Sequence, residues 1–328
     1  MQVIGIDISK DRLDCAWLRD IQTLRKKSKK FENSPKGHQE LIAWAEKNTG
    51  VELTEIMFVM EATGVYHERL AYRLYHASAQ VAVVNPAQVK AYGKSLGVRT
   101  KTDKMDSVVL ARFGAKESPR LWQPEPPEIR ELKALLARLE ALGKDIQRER
   151  NRLEKTQISA ASDSVKQSIE NVIASLSDEK KRLEKDVNDH IDRHPQLKRD
   201  KELLESIPGV GDVLSRCMVA VFRSRAFSKA SQMAAYLGLN PIEHESGSSI
   251  RGRPRLSKAG NANVRAKLYM PAVVSIQWNP DAKAIYRRLL ANGKSKMSAL
   301  GAVMRKLVHI CFGVLKHQQV YSPQVTVK

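Results

Sequence analysis

Four carboxylates stand where they could serve phosphodiester chemistry: Asp7, Glu61, Asp103 and Asp106. Asp7 ends the apolar run Val3-Ile4-Gly5-Ile6, and Glu61 ends Ile56-Met57-Phe58-Val59-Met60. A carboxylate at the C-terminal end of a strand sits where α/β sheets place their ligands. Asp103 and Asp106 are three positions apart, a spacing that puts both on one face of a helix. Taken singly, each acid has an ordinary reading: Asp7 as a turn residue, Glu61 as an ion-pair partner, Asp103 as an N-cap. Taken as a set in one cleft, they would repel one another unless cations neutralised them. Hard divalent ions with oxygen ligands do this, and Mg2+ keeps several waters and adds substrate phosphates. Two such ions would clamp an in-line phosphoryl displacement. Asp11 and Asp14, close by, read as surface residues of the turn after the first strand, and Lys10 and Lys104 as surface ion pairs. Tyr66 could stack on a base or simply pack.

A second chemical locus lies near the other end of the chain. Ser246, Ser248 and Ser249 sit in a glycine-containing loop, followed by Arg251, Arg253, Arg255, Lys258 and Arg265. Such a loop supplies backbone N–H groups and guanidinium forks suited to phosphates. A free serine hydroxyl is a poor nucleophile without a base, a metal or a lowered pKa. Only His244 is close in sequence, so on its own the segment reads as a phosphate-binding loop. Upstream, Pro208-Gly209-Val210-Gly211 follows the hydrophobic helix end Leu203-Leu204 and precedes a new helix from about Asp212. This pattern matches a helix–hairpin–helix, with Pro208, Gly209 and Gly211 placed to approach a DNA backbone. An ordinary helix–helix turn has the same outline.

The elements that must carry these residues are legible in outline. Runs at 3–8, 56–60 and 81–84 read as buried strands, and the basic stretch 24–31 as an exposed one. Helical spacing occupies 37–48, 67–77 and 103–116. Strands alternating with helices predict an α/β domain over residues 1–125. Four prolines between 119 and 127 mark a boundary. Leucine-spaced charged stretches at 128–156 and 165–194 predict a helical hairpin or coiled coil spanning 126–200 and closed by Pro195, which reads as a dimerisation arm or, more plainly, as a structural spacer. Residues 201–328 form a third, mainly α-helical domain.

Charge supports a polyanionic partner. Lys and Arg number 56 against 36 Asp and Glu, a net charge of +20. Residues 245–328 hold 15 basic and 2 acidic residues, interleaved with Gly, Ser, Asn and Pro. A membrane-surface helix would gather them on one amphipathic face, so nucleic acid is the favoured partner. No apolar run reaches the roughly 18 residues of a membrane span, and no secretory signal is evident, which predicts a cytoplasmic protein. Cys15, Cys217 and Cys311 form no CxxC pair, the one HxxxH pair, His190 and His194, has no further His or Cys close in sequence, and GxxxxGK[ST] is absent. Disulfide frameworks, zinc and ATPase activity therefore have no support.

The order Asp7, Glu61, Asp103-x-x-Asp106, with GIDISK and EATGVY around the first two, resembles a RuvC-like domain of the ribonuclease H class. LLESIPGVG, AAYLGLNP and ESGSSIRGRPRLSKAGNANVR are similar to the C-terminal domain of DEDD-type insertion-sequence transposases, the IS one-ten family, which Piv-type DNA invertases share. The resemblance spans about residues 3–318. It implies that Asp7, Glu61, Asp103 and Asp106 hold Mg2+ and that Ser246 is the nucleophile, with Ser248 and Ser249 left as phosphate contacts. It implies recombination of donor and target DNA through a phosphoserine bond that conserves the phosphodiester energy. It further implies a bridge RNA guide in many members, and dimers pairing into tetramers in which one subunit's RuvC-like domain meets another's serine domain. Action on DNA implies a prokaryotic cytoplasm and association with the nucleoid. Three alternatives stay open: a hydrolytic nuclease of the Holliday-junction-resolvase kind, an invertase without a guide, and a non-catalytic scaffold.

Overall fold

The computed structural model describes residues 1–20, 23, 25–62, 64–96, 103–159, 162–242, 245, 246, 250, 251 and 255–324, with the backbone alone for 103–105, 245, 246, 250 and 251. Its contacts separate two compact units, Met1–Pro124 and Glu125–Lys328.

The first unit is built on strands β1 (Gln2–Ile8), β2 (Arg12–Leu18), β3 (Lys26–Glu32), β4 (Ile56–Glu61) and β5 (Gln80–Val84). They lie in the order β3-β2-β1-β4-β5. The tight Ser9–Arg12 turn makes β1–β2 antiparallel, and β2–β3 is antiparallel too. Parallel neighbours need crossovers, and helices α1 (Pro35–Thr49) and α2 (Glu68–His76) provide them for β4 and β5. α1 starts where Ser34 accepts from the Gly37 N–H ahead of Pro35, and stops at Gly50, whose φ of 71° is left-handed. Helices α3 (Pro86–Ser95) and α4 (Asp103–Glu117) complete the unit. β2 and α3 were not evident from the sequence. α3 is started by Asn85, whose side chain accepts from the Ala87 N–H ahead of the helix interior.

The sheet buries both faces. Ile4, Ile6 and Ile8 pack with Leu41, Trp44, Leu70 and Leu74 of α1 and α2. On the opposite face, Val3, Val59 and Val84 pack with Val109, Leu110 and Phe113 of α4. At its centre Gly5 lies so close to α4 that a Cβ would stand 2.0 Å from the Ser107 carbonyl oxygen and 2.4 Å from the Ala111 nitrogen. A Cβ on Gly114 would likewise meet Val59 and Val3. The helix therefore runs antiparallel to β1, with its first turns over the C-terminal ends of β1 and β4.

The second unit opens with a hairpin of two long helices, α5 (Pro127–Ile158) and α6 (Asp163–Asp192). The base of the hairpin is continuous with the helices after it. Ile129, Leu132, Val187 and Ile191 share one core with α7 (Pro195–Glu205), α8 (Asp212–Arg223) and α9 (Ala230–Tyr236). Pro195 opens α7 rather than ending the region, because proline is well suited to the first helical position. Strands β6 (Pro241–Ile242), β7 (Glu245–Ser246), β8 (Ile250–Arg251) and β9 (Arg255–Leu256) come next, then helices α10 (Ala262–Trp278), α11 (Pro280–Ala291) and α12 (Lys296–His317). α12 contains no uninterrupted apolar run of span length, because Arg305 and Lys306 stand at its middle, but as a whole helix it reaches the length of a span. It is long and apolar enough by composition. Its residues from Ala299 to Leu315 instead furnish the core, with Val303, Leu307, Val308 and Cys311 fully enclosed. α12 turns its apolar residues toward α7, α9, α10 and α11, while Arg305, Lys306 and His309 are only partly buried.

Replacing Gly5 by Ala must lift α4 from the sheet, because backbone atoms cannot yield as a flexible side chain can. We expect Gly5→Ala to lower stability by about 1–3 kcal/mol or more, read by urea unfolding of the full chain. A neutral result would mean that α4 is not held at this distance.

Candidate active site

The strand register brings the first acids together. Ile6 pairs with Met60 across the parallel β1–β4 ladder, so Asp7 and Glu61 are the next residues on adjoining strands. Side chains alternate along a strand. Asp7 follows Val3 and Gly5 to the α4 face, and Glu61 follows Met57 and Val59 to the same face. Asp106 immediately precedes Ser107, the residue whose carbonyl lies over Gly5. Asp7, Glu61 and Asp106 are all half-buried, and none is without an interaction partner. Asp103 opens α4 one turn earlier, and its side chain lies outside the described residues. Three of the four acids thus arrive at one end of one sheet face, carried by three elements.

The structure corrects the reading of Asp14. It is not a turn residue: it lies within β2, directly opposite Asp7 in the antiparallel register. It is 8% exposed. Like charges directly opposite one another on a sheet are destabilising. Asp14 is matched by Lys30, its register partner on β3, at 2.8 Å. Burial, then the Asp14 charge, push the neighbouring Cys15 thiol well above its ordinary pKa. Asp11 does lie in the turn, where its carbonyl accepts from the Asn33 N–H. Tyr66 is 45% exposed, free to meet a partner with its ring.

Hard oxygen donors are the right chemistry for a divalent ion. Among the described residues, however, no three Asp, Glu, His or Cys side chains are gathered closely enough to hold one. The fit lies in the donor type and the shared sheet end, not in a closed cage.

In the second unit, the serine segment forms a thin β-arm of nested ladders. Pro241 and Ile242 pair with Leu256 and Arg255, and Glu245 and Ser246 pair with Arg251 and Ile250. Ser246 is thus the last strand residue before the tip. Ser248, Ser249 and Arg253 lie outside the described residues, as do the side chains of Ser246 and Arg251. The base of the arm is well defined. Ser257 N–H donates to the Asn240 carbonyl at 2.9 Å, and Lys258 N–H to that of Gly238 at 3.2 Å. Gly238 and Gly260 have left-handed φ of 70° and 156°, and a Cβ on Gly260 would stand 2.3 Å from the Tyr236 carbonyl oxygen. Arg255 and Lys258 are exposed to solvent. Arg265 spends one guanidinium nitrogen on the Leu237 carbonyl at 3.1 Å, so it braces the arm. Arg305 of α12, not singled out from the sequence, donates to the Asn240 side chain at 2.6 Å. Only the fold brings position 305 to the arm.

The Pro208–Gly211 turn does join two helices, α7 and α8. Gly209 adopts a φ of 97°, and a Cβ there would stand 2.2 Å from Ser275 Oγ of α10. The Ser275 hydroxyl donates to the Pro208 carbonyl at 3.1 Å. These contacts give Pro208 and Gly209 a packing role. Gly211 precedes α8 with open space around it. Asp212, in the first turn of α8, is paired with Lys201 at 3.1 Å and with Arg216.

Comparison with known proteins places the chain. A family model described as a transposase matches residues 4–157, and one described as the transposase IS116/IS110/IS902 family matches residues 201–287. The chain is 35% identical over 324 residues to the pilin gene-inverting protein of Moraxella bovis, covering 98% of both chains. It is 24% identical to the transposase for insertion sequence element IS1111A of Coxiella burnetii, over 98% of this chain and 91% of that one. The Thermus thermophilus RuvC structure aligns with 37% of this chain and 100% of its own at 14% identity, with a TM-score of 0.28, too low to carry an argument. With matched segments in both units and a relative matched along nearly the whole length, the chain belongs to the IS116/IS110/IS902 transposase family and is an enzyme of DNA recombination.

Proposed function

We propose that this enzyme cuts and rejoins donor and target DNA through a phosphoserine bond to Ser246. The observation that carries the reading is the joint presence of the acid end of the first unit and the ESGSS arm of the second in one family-matched chain. The sheet order β3-β2-β1-β4-β5, with only β2 antiparallel to its neighbours, supports a RuvC-like, ribonuclease H-like first unit. Asp7, Glu61, Asp103 and Asp106 would hold a divalent ion, Mg2+ by donor type, and such an ion supplies charge neutralisation at the attacked phosphate.

The chain's own residues carry the bond changes. Ser246 Oγ forms a bond to phosphorus as the bond to one deoxyribose oxygen breaks; that oxygen leaves with the proton the serine gives up. Attack by a hydroxyl of another strand reverses the step, frees the serine and needs no ATP. Arg255 and Lys258, exposed at the arm's base, would hold phosphates there. Gly211 and the exposed Val213 that follows it at the start of α8 would meet a DNA backbone in the manner of a helix–hairpin–helix, against competition from the Asp212 carboxylate. The distal half of the α5–α6 hairpin exposes Ile158, Val165 and Val172. That favours a role as a coiled-coil arm between copies, in a dimer assembling to a tetramer. A bridge RNA guide belongs to the same reading, and a discrete structured RNA copurifying with the protein is its test.

A second reading is inversion of a DNA segment without a guide. It is favoured by the fact that the relative matched at 35% identity is named for gene inversion. It uses the same serine and acids.

With Ser246→Ala, we expect complete loss of denaturation-resistant protein–DNA adducts and retained DNA binding. Adducts surviving in that variant would overturn the serine assignment and favour metal-site hydrolysis. With Asp7→Asn or Glu61→Gln, strand cleavage should fall about 100-fold or more, the scale of removing one electrostatic stabiliser of a transition state. Cleavage at the wild-type rate would remove the acids from the reaction.

A further inference from the structure

Among the described residues, β3 is the outermost strand of its sheet, with one edge unpaired. It carries Lys26, Lys27, Lys29 and Lys30, all exposed, and Phe31 is its only buried residue. Arg25, also exposed, precedes it. The register sends Lys26 and Lys30 to the α4 face and Lys27 and Lys29 to the α1 face. Lys30 is matched by Asp14. Among the described residues, Lys26, Lys27 and Lys29 have no carboxylate partner; Lys27 donates to Asn48 at 2.6 Å and Lys29 lies 4.9 Å from the Phe31 ring centroid.

Lysines on an edge strand also blunt edge-to-edge pairing. One or two would serve that end. Four in five positions, pointing to both faces, add self-repulsion that a polyanion would relieve. Lys26 and Lys30 are about 14 Å apart along an extended strand, a length over which duplex DNA presents about eight backbone charges. The row Lys30–Asp14–Asp7 crosses the sheet directly to its acid end.

We propose that the outer edge of β3 is a docking rail for the phosphate backbone of duplex DNA. Lys26, Lys27 and Lys29 neutralise phosphates, while Lys30 stays with Asp14. The rail rests on the DNA-recombining reading of the acid end and adds a contact surface to it.

The test compares the full wild-type chain with the triple variant Lys26→Gln/Lys27→Gln/Lys29→Gln and with the triple Arg variant. Binding of duplex DNA and of duplex RNA is titrated against salt. The rail predicts that the slope of log K against log salt shrinks by about 2–3 for DNA in the Gln variant, at roughly 0.9 per phosphate released. The Arg variant should keep the slope. An unchanged DNA slope with new self-association in sedimentation would overturn the rail in favour of edge protection. A slope lost for RNA alone would overturn the choice of DNA. Absence of salt-sensitive binding by the wild-type chain would overturn the functional reading itself.

Independently, the hydrogen bonds around Asn33 assign it as a positioning residue. Its Nδ2 donates to the carbonyls of Ser9 at 2.9 Å and Tyr66 at 3.1 Å. Ser9 follows Asp7 by two residues and Tyr66 follows Glu61 by five, so one amide ties the loops leaving both acid-bearing strands. Its Oδ1 lies 2.9 Å from His38 Nε2 and accepts from it. Burial, then Arg73 and Arg69, lower the His38 pKa, consistent with a neutral ring whose proton is on Nε2. Every polar atom of the Asn33 side chain is thereby committed to holding the acid end in place. We expect Asn33→Ala to weaken Mn2+ affinity about 10–100-fold, the range for residues that orient ligands from behind, measured by calorimetry on the full chain. Asn33→His, bulkier but hydrogen-bonding, should not rescue it. Lower thermal stability with unchanged Mn2+ affinity would overturn the positioning role. A wild-type chain that binds no Mn2+ would overturn the metal reading beneath it.

Discussion

The first unit of this enzyme depends on one close approach, the backbone of α4 lying on Gly5. Any side chain at position 5 would stand within about 2 Å of helix backbone. With none, α4 settles onto the middle of the sheet and its first turns reach the C-terminal ends of β1 and β4. Asp106 is thereby delivered to the end where Asp7 and Glu61 emerge. Gly114 repeats the device farther along, against Val59 and Val3, and so fixes the direction of the helix as well as its height.

Charge is managed around that approach. Asp7 and Asp14 face one another across β1 and β2, and the Lys30 ammonium pairs with Asp14. Hydrogen bonds from Asn33 fix the adjoining loops without adding charge. The second unit solves a different problem. A two-residue-wide β-arm has no core of its own, so its base is braced from outside by Arg265 and Arg305 and by glycines that allow the chain to double back.

Much of the fold was legible because its elements are locally self-consistent. β1 and β4 are continuous apolar runs, α1 has its serine cap and its glycine stop, and the long hairpin helices repeat leucine at helical spacing. β2 was missed because Asp14 interrupts its apolar pattern. A buried aspartate makes sense only with Lys30, sixteen residues on, beside it. α12 passes for a span by length and composition although Arg305 and Lys306 interrupt it; its surroundings decide that it is a core helix. Gly209 looked like a DNA-contacting glycine by its motif, whereas its conformation and its neighbour Ser275 give it a packing role.

The sequence by itself determined the chemistry available: which carboxylates end apolar strands, which serine stands among arginines, and where basic charge accumulates. These are properties of neighbouring residues, and local propensity and spacing carry them. Tertiary structure alone decided which residues meet. Asp14 with Lys30, Asn33 with Ser9 and Tyr66, and Arg305 with Asn240 are separated by 16, 24, 33 and 65 positions. Long-range pairs of this kind arise from strand register and helix packing, which depend on the whole core closing at once.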